Sequence, residues 1–169
     1  MKSVVTFLLT ACALTVGCAV KETAEPVPVD VQVEFPSTPT AVVSDNVRIF
    51  VWEGLQDCSE LIGVRRSGRP LPPALIEDRK TPCDLLTQGG TVELTRNKEY
   101  TFLVAAQVGE KDFLLGCSRE QVFGEVVAAP VSLAYASNEF TLSTLEAQTP
   151  GSTTKCPTLG ARCGGCVPR

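Results

Sequence analysis

Residues 94–108 read LTRNKEYTFLVAAQV. Val92 and Leu94 alternate with polar neighbours, a polar turn follows at Asn97-Lys98, and then Tyr100, Phe102, Val104, Ala106 and Val108 recur at every second position. A period of two puts these five side chains on one face of a β-strand, and this is the longest such run in the chain.

The same pattern extends outward in both directions. Val31, Val33 and Phe35 alternate with Asp30, Gln32 and Glu34. Val47, Ile49 and Val51 alternate with Arg48, Phe50 and Trp52, a strand with apolar groups on both faces. Residues 113–117, 121–127, 131–135 and 140–145 read as further short strands. Turn residues separate them, at Ser44-Asp45-Asn46, Gly89-Gly90, Gly109 to Asp112 and Ala129-Pro130. Seven or eight short strands in one domain predict an all-β sandwich over residues 30–147. Between Gly54 and Thr87 the period fails, which predicts an irregular insertion over 54–87 with helical turns at Ser59 to Val64 and around Cys83 to Leu86.

Leu94 stands six residues before Tyr100, and the pair resembles the tyrosine corner of fibronectin type III and related immunoglobulin-like sandwiches. That resemblance implies that Leu94 folds over a strand-to-strand crossing and that the Tyr100 hydroxyl bonds back to the backbone. It also implies a core role for Trp52. Asn97-Lys98 departs from the family's Pro-Gly, and the insertion has no counterpart in the family. The DCSEL at Asp57 to Leu61 and the LLGC at Leu114 to Cys117, with the N-terminal motif described next, are similar to small secreted lipoproteins of myxobacterial type.

The chain opens MKSVVTFLLTACALTVGCAV. Lys2 precedes an uncharged apolar stretch from Val4 to Val16, the length of a signal-peptide core and too short to span a bilayer. Leu14-Thr15-Val16-Gly17-Cys18 resembles a bacterial lipobox, which implies removal of residues 1–17 and lipidation of Cys18. The alternatives are a second such motif ending at Cys12, and a plain secretory signal cut after Ala11 or Gly17. Residues 18–29, CAVKETAEPVPV, then form a tether. Ala19 and Val20 after Cys18 lack the Asp of inner-membrane retention. The lipoprotein rule therefore implies an exported chain, anchored in the outer membrane or at the cell surface.

Losing residues 1–17 removes one charged residue, Lys2, and leaves 14 basic against 19 acidic residues, a net charge of −5. Such a surface is unsuited to nucleic acid. Cys12 leaves with the signal, and six cysteines remain besides Cys18: Cys58, Cys83, Cys117, Cys156, Cys163 and Cys166. An even number in an exported chain predicts disulfides, but six cysteines allow 15 connectivities. The pairing expected is Cys58–Cys83 closing a local loop, with Cys117 pinning the tail; Cys58–Cys117 is the competing bridge.

The tail, 148–169, ends KCPTLGARCGGCVPR. Its C-G-G-C allows an envelope thiol–disulfide oxidoreductase, and its three cysteines allow a metal clamp. The redox reading needs Cys163 at a helix N-terminus, and the metal reading needs a fourth ligand. A staple needs only an oxidising space, and is the reading adopted.

The absence of histidine removes Ser-His-Asp and Cys-His catalysis and His-ligated metals. No cofactor motif is present, and the protein is read as non-enzymatic. Arg65, Arg66, Arg69, Arg79 and Lys80 concentrate positive charge in the insertion, a candidate site for phosphate or acidic glycan. The sequence thus predicts a lipid-anchored envelope module with a protein or glycan partner; the oxidoreductase and the anion-binding protein are the alternatives.

Overall fold

The computed structural model describes residues 25–124, 127–141, 143–144 and 156–165. The signal segment, Cys18, most of the tether, Cys166 and residues 145–155 lie outside them. In chain order the elements are β1 (Pro26–Glu34), α1 (Thr38–Val43), β2 (Asn46–Glu53), α2 (Cys58–Arg66), β3 (Ile76–Lys80), α3 (Pro82–Gln88), β4 (Thr91–Thr95), β5 (Lys98–Val108), β6 (Lys111–Val122), β7 (Val127–Ser132), β8 (Ala134–Tyr135) and α4 (Leu159–Cys163).

Two sheets face one another, one ordered β4-β1-β7 and the other β3-β2-β5-β6-β8. All neighbours pair antiparallel except β1 and β7, which run parallel. The period-two residues meet between the sheets: Val29 and Val31 from β1, Ile49 from β2, Leu94 from β4, Phe102 and Val104 from β5. The chain passes between sheets from β4 to β5. Here Asn97 takes φ 60°, left-handed backbone that Asn tolerates better than most residues. Tyr100, fully buried, closes the crossing. Its hydroxyl donates to the Thr95 carbonyl at 3.1 Å and accepts the Thr95 N–H at 3.0 Å.

The insertion gives β2 its two apolar faces. Val47, Ile49 and Val51 point between the sheets, whereas Phe50 and Trp52 point outward with Leu103 of β5. Leu61 and Ile62 of α2, followed by Leu71 and Ala74, cover that outer patch. An uncovered Phe–Trp–Leu surface would be an aggregation hazard, so the insertion is a third layer of the fold.

Several elements differ from the sequence expectation. β1 starts at Pro26, inside the segment expected to be a tether, because Val27 and Val29 carry the core alternation further back. Among the described residues, pairing with β7 begins at Val29 and β4 is the one neighbour of Pro26 and Pro28, which is why the prolines are tolerated there. β3 lies within the insertion, a charged edge strand whose IEDRK carries no apolar alternation to read. α1 is a further element that the strand-and-turn pattern does not signal; Pro39 opens it, and the Ser37 N–H donates to Thr40 Oγ1 at 3.3 Å. The strands expected at 113–117 and 121–127 are one continuous β6 that stops at Val122, followed by the separate β7. Leu133 splits the strand expected at 131–135 between β7 and β8. The strand expected at 140–145 is not one among its described residues, of which Ser143 and Thr144 are helical.

Candidate functional site

The expected local bridge Cys58–Cys83 does not form. Cys58 bonds to Cys117 with Cα atoms 5.6 Å apart, and Cys83 bonds to Cys163 with Cα atoms 5.3 Å apart. The reason is the layer each helix joins. α2 lies on the outer sheet face, to whose apolar cluster Cys117 belongs, whereas Leu85 of α3 packs against the core between the sheets. Cys58 and Cys83 therefore sit on different flanks. α3 meets α4 instead, and the tail is stapled there.

Each bridged helix has a well-made start. Asp57 Oδ1 accepts the Ser59 N–H at 2.7 Å, capping α2. Thr81 and Asp84 form a reciprocal capping box with Pro82 as the first residue of α3. The hydrogen bonds from the Thr81 side chain, and then from its backbone, hold the Asp84 carboxyl below its ordinary pKa. In α4, Thr158 Oγ1 caps the Ala161 N–H at 3.1 Å, and Cys163 is the last helical residue rather than the first. Arg162 donates to the Val42 and Ser44 carbonyls, seating α4 against the end of α1. Cys156 is buried and also disulfide-bonded, its partner lying outside the described residues. Since the Cys163 sulfur is bonded to Cys83, the C-G-G-C is not a closed redox pair.

α2 is laid along β6 and held at both ends. Its first residue is bridged to Cys117, and at its other end the penultimate residue, Arg65, meets Asp112. The guanidinium is bidentate, with Nε to Oδ2 at 2.5 Å and Nη2 to Oδ1 at 3.1 Å. Gln107 Nε2 donates to the same Oδ1 at 2.6 Å. The side chains are 19% and 14% exposed, so this pair is screened far less than a surface salt bridge. Arg65 also lies over the Phe50 ring at 5.4 Å, and Arg48, paired with Glu77, lies over it at 5.0 Å. Burial, and then the positive Arg65 nearby, lower the Arg48 pKa.

The positive cluster expected of the insertion is therefore divided. Arg65 is committed to Asp112. Arg79 lies on β3, opposite Arg48 in the β2 register, and does not join the others. Arg66 and Arg69 are exposed and, with Lys111, rim a cleft of about 570 Å³ floored by Leu115, Ala136 and Phe140. Glu110, Asp112 and Glu139 line the same cleft, so its charge is close to balanced. In the sequence Asp112 closes the polar turn Gly109 to Asp112, and its spacing from Arg65 carries no signal that a helix brings the two together.

Among the described residues no group of His, Cys, Asp and Glu side chains could hold a metal ion, and no helix is long and apolar enough to cross a membrane. Comparisons with protein-family models, with curated proteins and with solved structures gave no match.

Proposed function

We propose that the protein is an exported, lipid-anchored and disulfide-stapled sandwich that serves as a non-catalytic binding module of the cell envelope. The observation that carries this reading is that all five described cysteines are disulfide-bonded, a state that belongs to an oxidising compartment. The lipobox ending at Cys18 supplies the anchor, with the outer membrane or cell surface as its location. The tyrosine corner at the β4–β5 crossing supports kinship with fibronectin type III and immunoglobulin-like sandwiches, with the parallel β1–β7 pair as a departure.

Cell fractionation tests the anchor. The wild-type chain is expected in the membrane fraction, and Cys18→Ala in the soluble exported fraction with its bridges intact. A Cys18→Ala chain that stays with the membrane would overturn the anchor, and reduced cysteines in the cytosol would overturn export.

The exposed guanidinium pair Arg66 and Arg69, with Lys111 on the same cleft rim, supports a second reading, an acidic glycan or phosphate held at that rim. It predicts salt-sensitive binding of a uronic-acid or phosphorylated oligosaccharide, lost in Arg66→Ala/Arg69→Ala; binding unchanged in that variant would end it. An envelope thiol–disulfide oxidoreductase is disfavoured by the Cys83–Cys163 bond.

A further inference from the structure

The sandwich has two distinguishable poles. β1 enters at Pro26 opposite Thr95, the last residue of β4, so the N-terminal chain arrives at the pole where β4 crosses to β5. β2 and β6 end at this same pole, since Glu53 pairs with Tyr100 and Val122 with Lys98. Leu55 and Phe123, the residues just beyond those strand ends, are 56% and 54% exposed. They flank β5 on either side, two strand spacings or about 10 Å apart. Leu75, 57% exposed, lies on the outer edge of the sheet instead, beside the pair Val51–Ile76. Two of the four exposed large hydrophobics among the described residues thus stand where the chain enters.

The chain length outside the structure limits what this pole can face. Eight residue steps separate Cys18 from Pro26, a reach of about 26–29 Å even when fully extended. Charge at the pole is mixed: Lys98 pairs with Glu53 at 2.7 Å, and Glu99, Arg119 and Glu120 lie at this same end of β5 and β6. Mixed charge around protruding apolar side chains fits a zwitterionic lipid surface and gives no preference for an anionic one.

We propose that this pole docks on the bilayer that holds the anchor, with Leu55 and Phe123 reaching through the headgroups to the acyl-chain boundary. The inference rests on the lipid anchor at Cys18. It fixes the orientation of the molecule: the Arg66–Arg69 cleft lies by the β5–β6 hairpin at the opposite pole. The 11 residues of β5 separate the two, about 33 Å at strand rise. The cleft faces away from the membrane.

The test uses the full lipidated chain in phosphatidylcholine vesicles doped with an acyl-chain diazirine lipid. After photolysis, mass spectrometry maps the labelled peptides and reports in the same sample whether Cys18 is acylated. Labelling is expected on the peptides holding Leu55 and Phe123 and not on Gly109 to Lys111. It is expected to be lost from both in Leu55→Ser/Phe123→Ser, whose exposed sites leave the fold intact. Label absent from both peptides on an acylated chain would overturn the docking alone. An unacylated Cys18 would overturn the docking together with the anchor. A dimer in detergent that the double substitution abolishes would assign the pole to a second copy and equally overturn the proposal.

Discussion

Arg65→Met tests how α2 is held. Methionine keeps an apolar stem against Phe50 and removes the charge, leaving Asp112 the Gln107 amide as its side-chain hydrogen-bond donor among the described residues. At an effective dielectric constant near 20, two charges about 4 Å apart attract by about 4 kcal/mol before desolvation is subtracted. Asp112 is 14% exposed, so water re-solvates part of it once Arg65 is gone. The net loss should be about 2–3 kcal/mol. For a domain of this size that corresponds to a fall in Tm of about 6 °C. Asp112→Asn alone should cost a similar amount, and the double variant less than the two together, with a coupling of about 1–2 kcal/mol. Urea unfolding at neutral pH with the disulfides intact measures all four corners of the cycle. A coupling below about 0.5 kcal/mol would mean the pair behaves as an exposed salt bridge, and the two-point attachment of α2 would be wrong.

Three further outcomes follow from the packing. Removing the Cys83–Cys163 bridge as Cys83→Ala/Cys163→Ala opens an 80-residue loop and should cost about 4 kcal/mol; limited proteolysis should then cut the tail ahead of the sandwich, and equal resistance of the two chains would contradict the staple. A Cβ at Gly116 would lie 2.4 Å from the Ser132 carbonyl oxygen, so Gly116→Ala should destabilise by about 2 kcal/mol or more in the same urea assay, whereas a neutral result would deny the close approach of β7 to β6. Because the Asp84 pKa is lowered in the folded state, its contribution is complete above the ordinary carboxyl value of 3.8 and is lost as pH falls through the lowered value. The stability advantage of wild type over Asp84→Asn should therefore shrink in acid, and an advantage independent of pH would refute the capping role.

What could be read from the sequence follows from how local each signal is. The alternation in 100–108 and 47–52 survives because β2 and β5 are central strands whose neighbours lie on both sides. The Tyr100 corner is legible because its partner, Thr95, is five residues away. β3 was hidden since a charged edge strand has no apolar face to show. Proximity in sequence favours Cys58–Cys83 with Cys117 pinning the tail, but the layers of the fold separate those helices, so the competing Cys58–Cys117 bridge forms and Cys83 holds the tail. The site was half legible: Arg66 and Arg69 do share a cleft, but Arg65 is neutralised by a residue 47 positions away, and Arg79 sits on another element.

The most direct test of the envelope-module account is intact mass spectrometry of the membrane-extracted protein, alkylated before and after reduction. The account predicts a chain beginning at an acylated Cys18. It also predicts no alkylation before reduction and six modified cysteines after it, at Cys58, Cys83, Cys117, Cys156, Cys163 and Cys166. A chain without acyl mass at Cys18, or one whose Cys156, Cys163 and Cys166 alkylate without reduction, would contradict it.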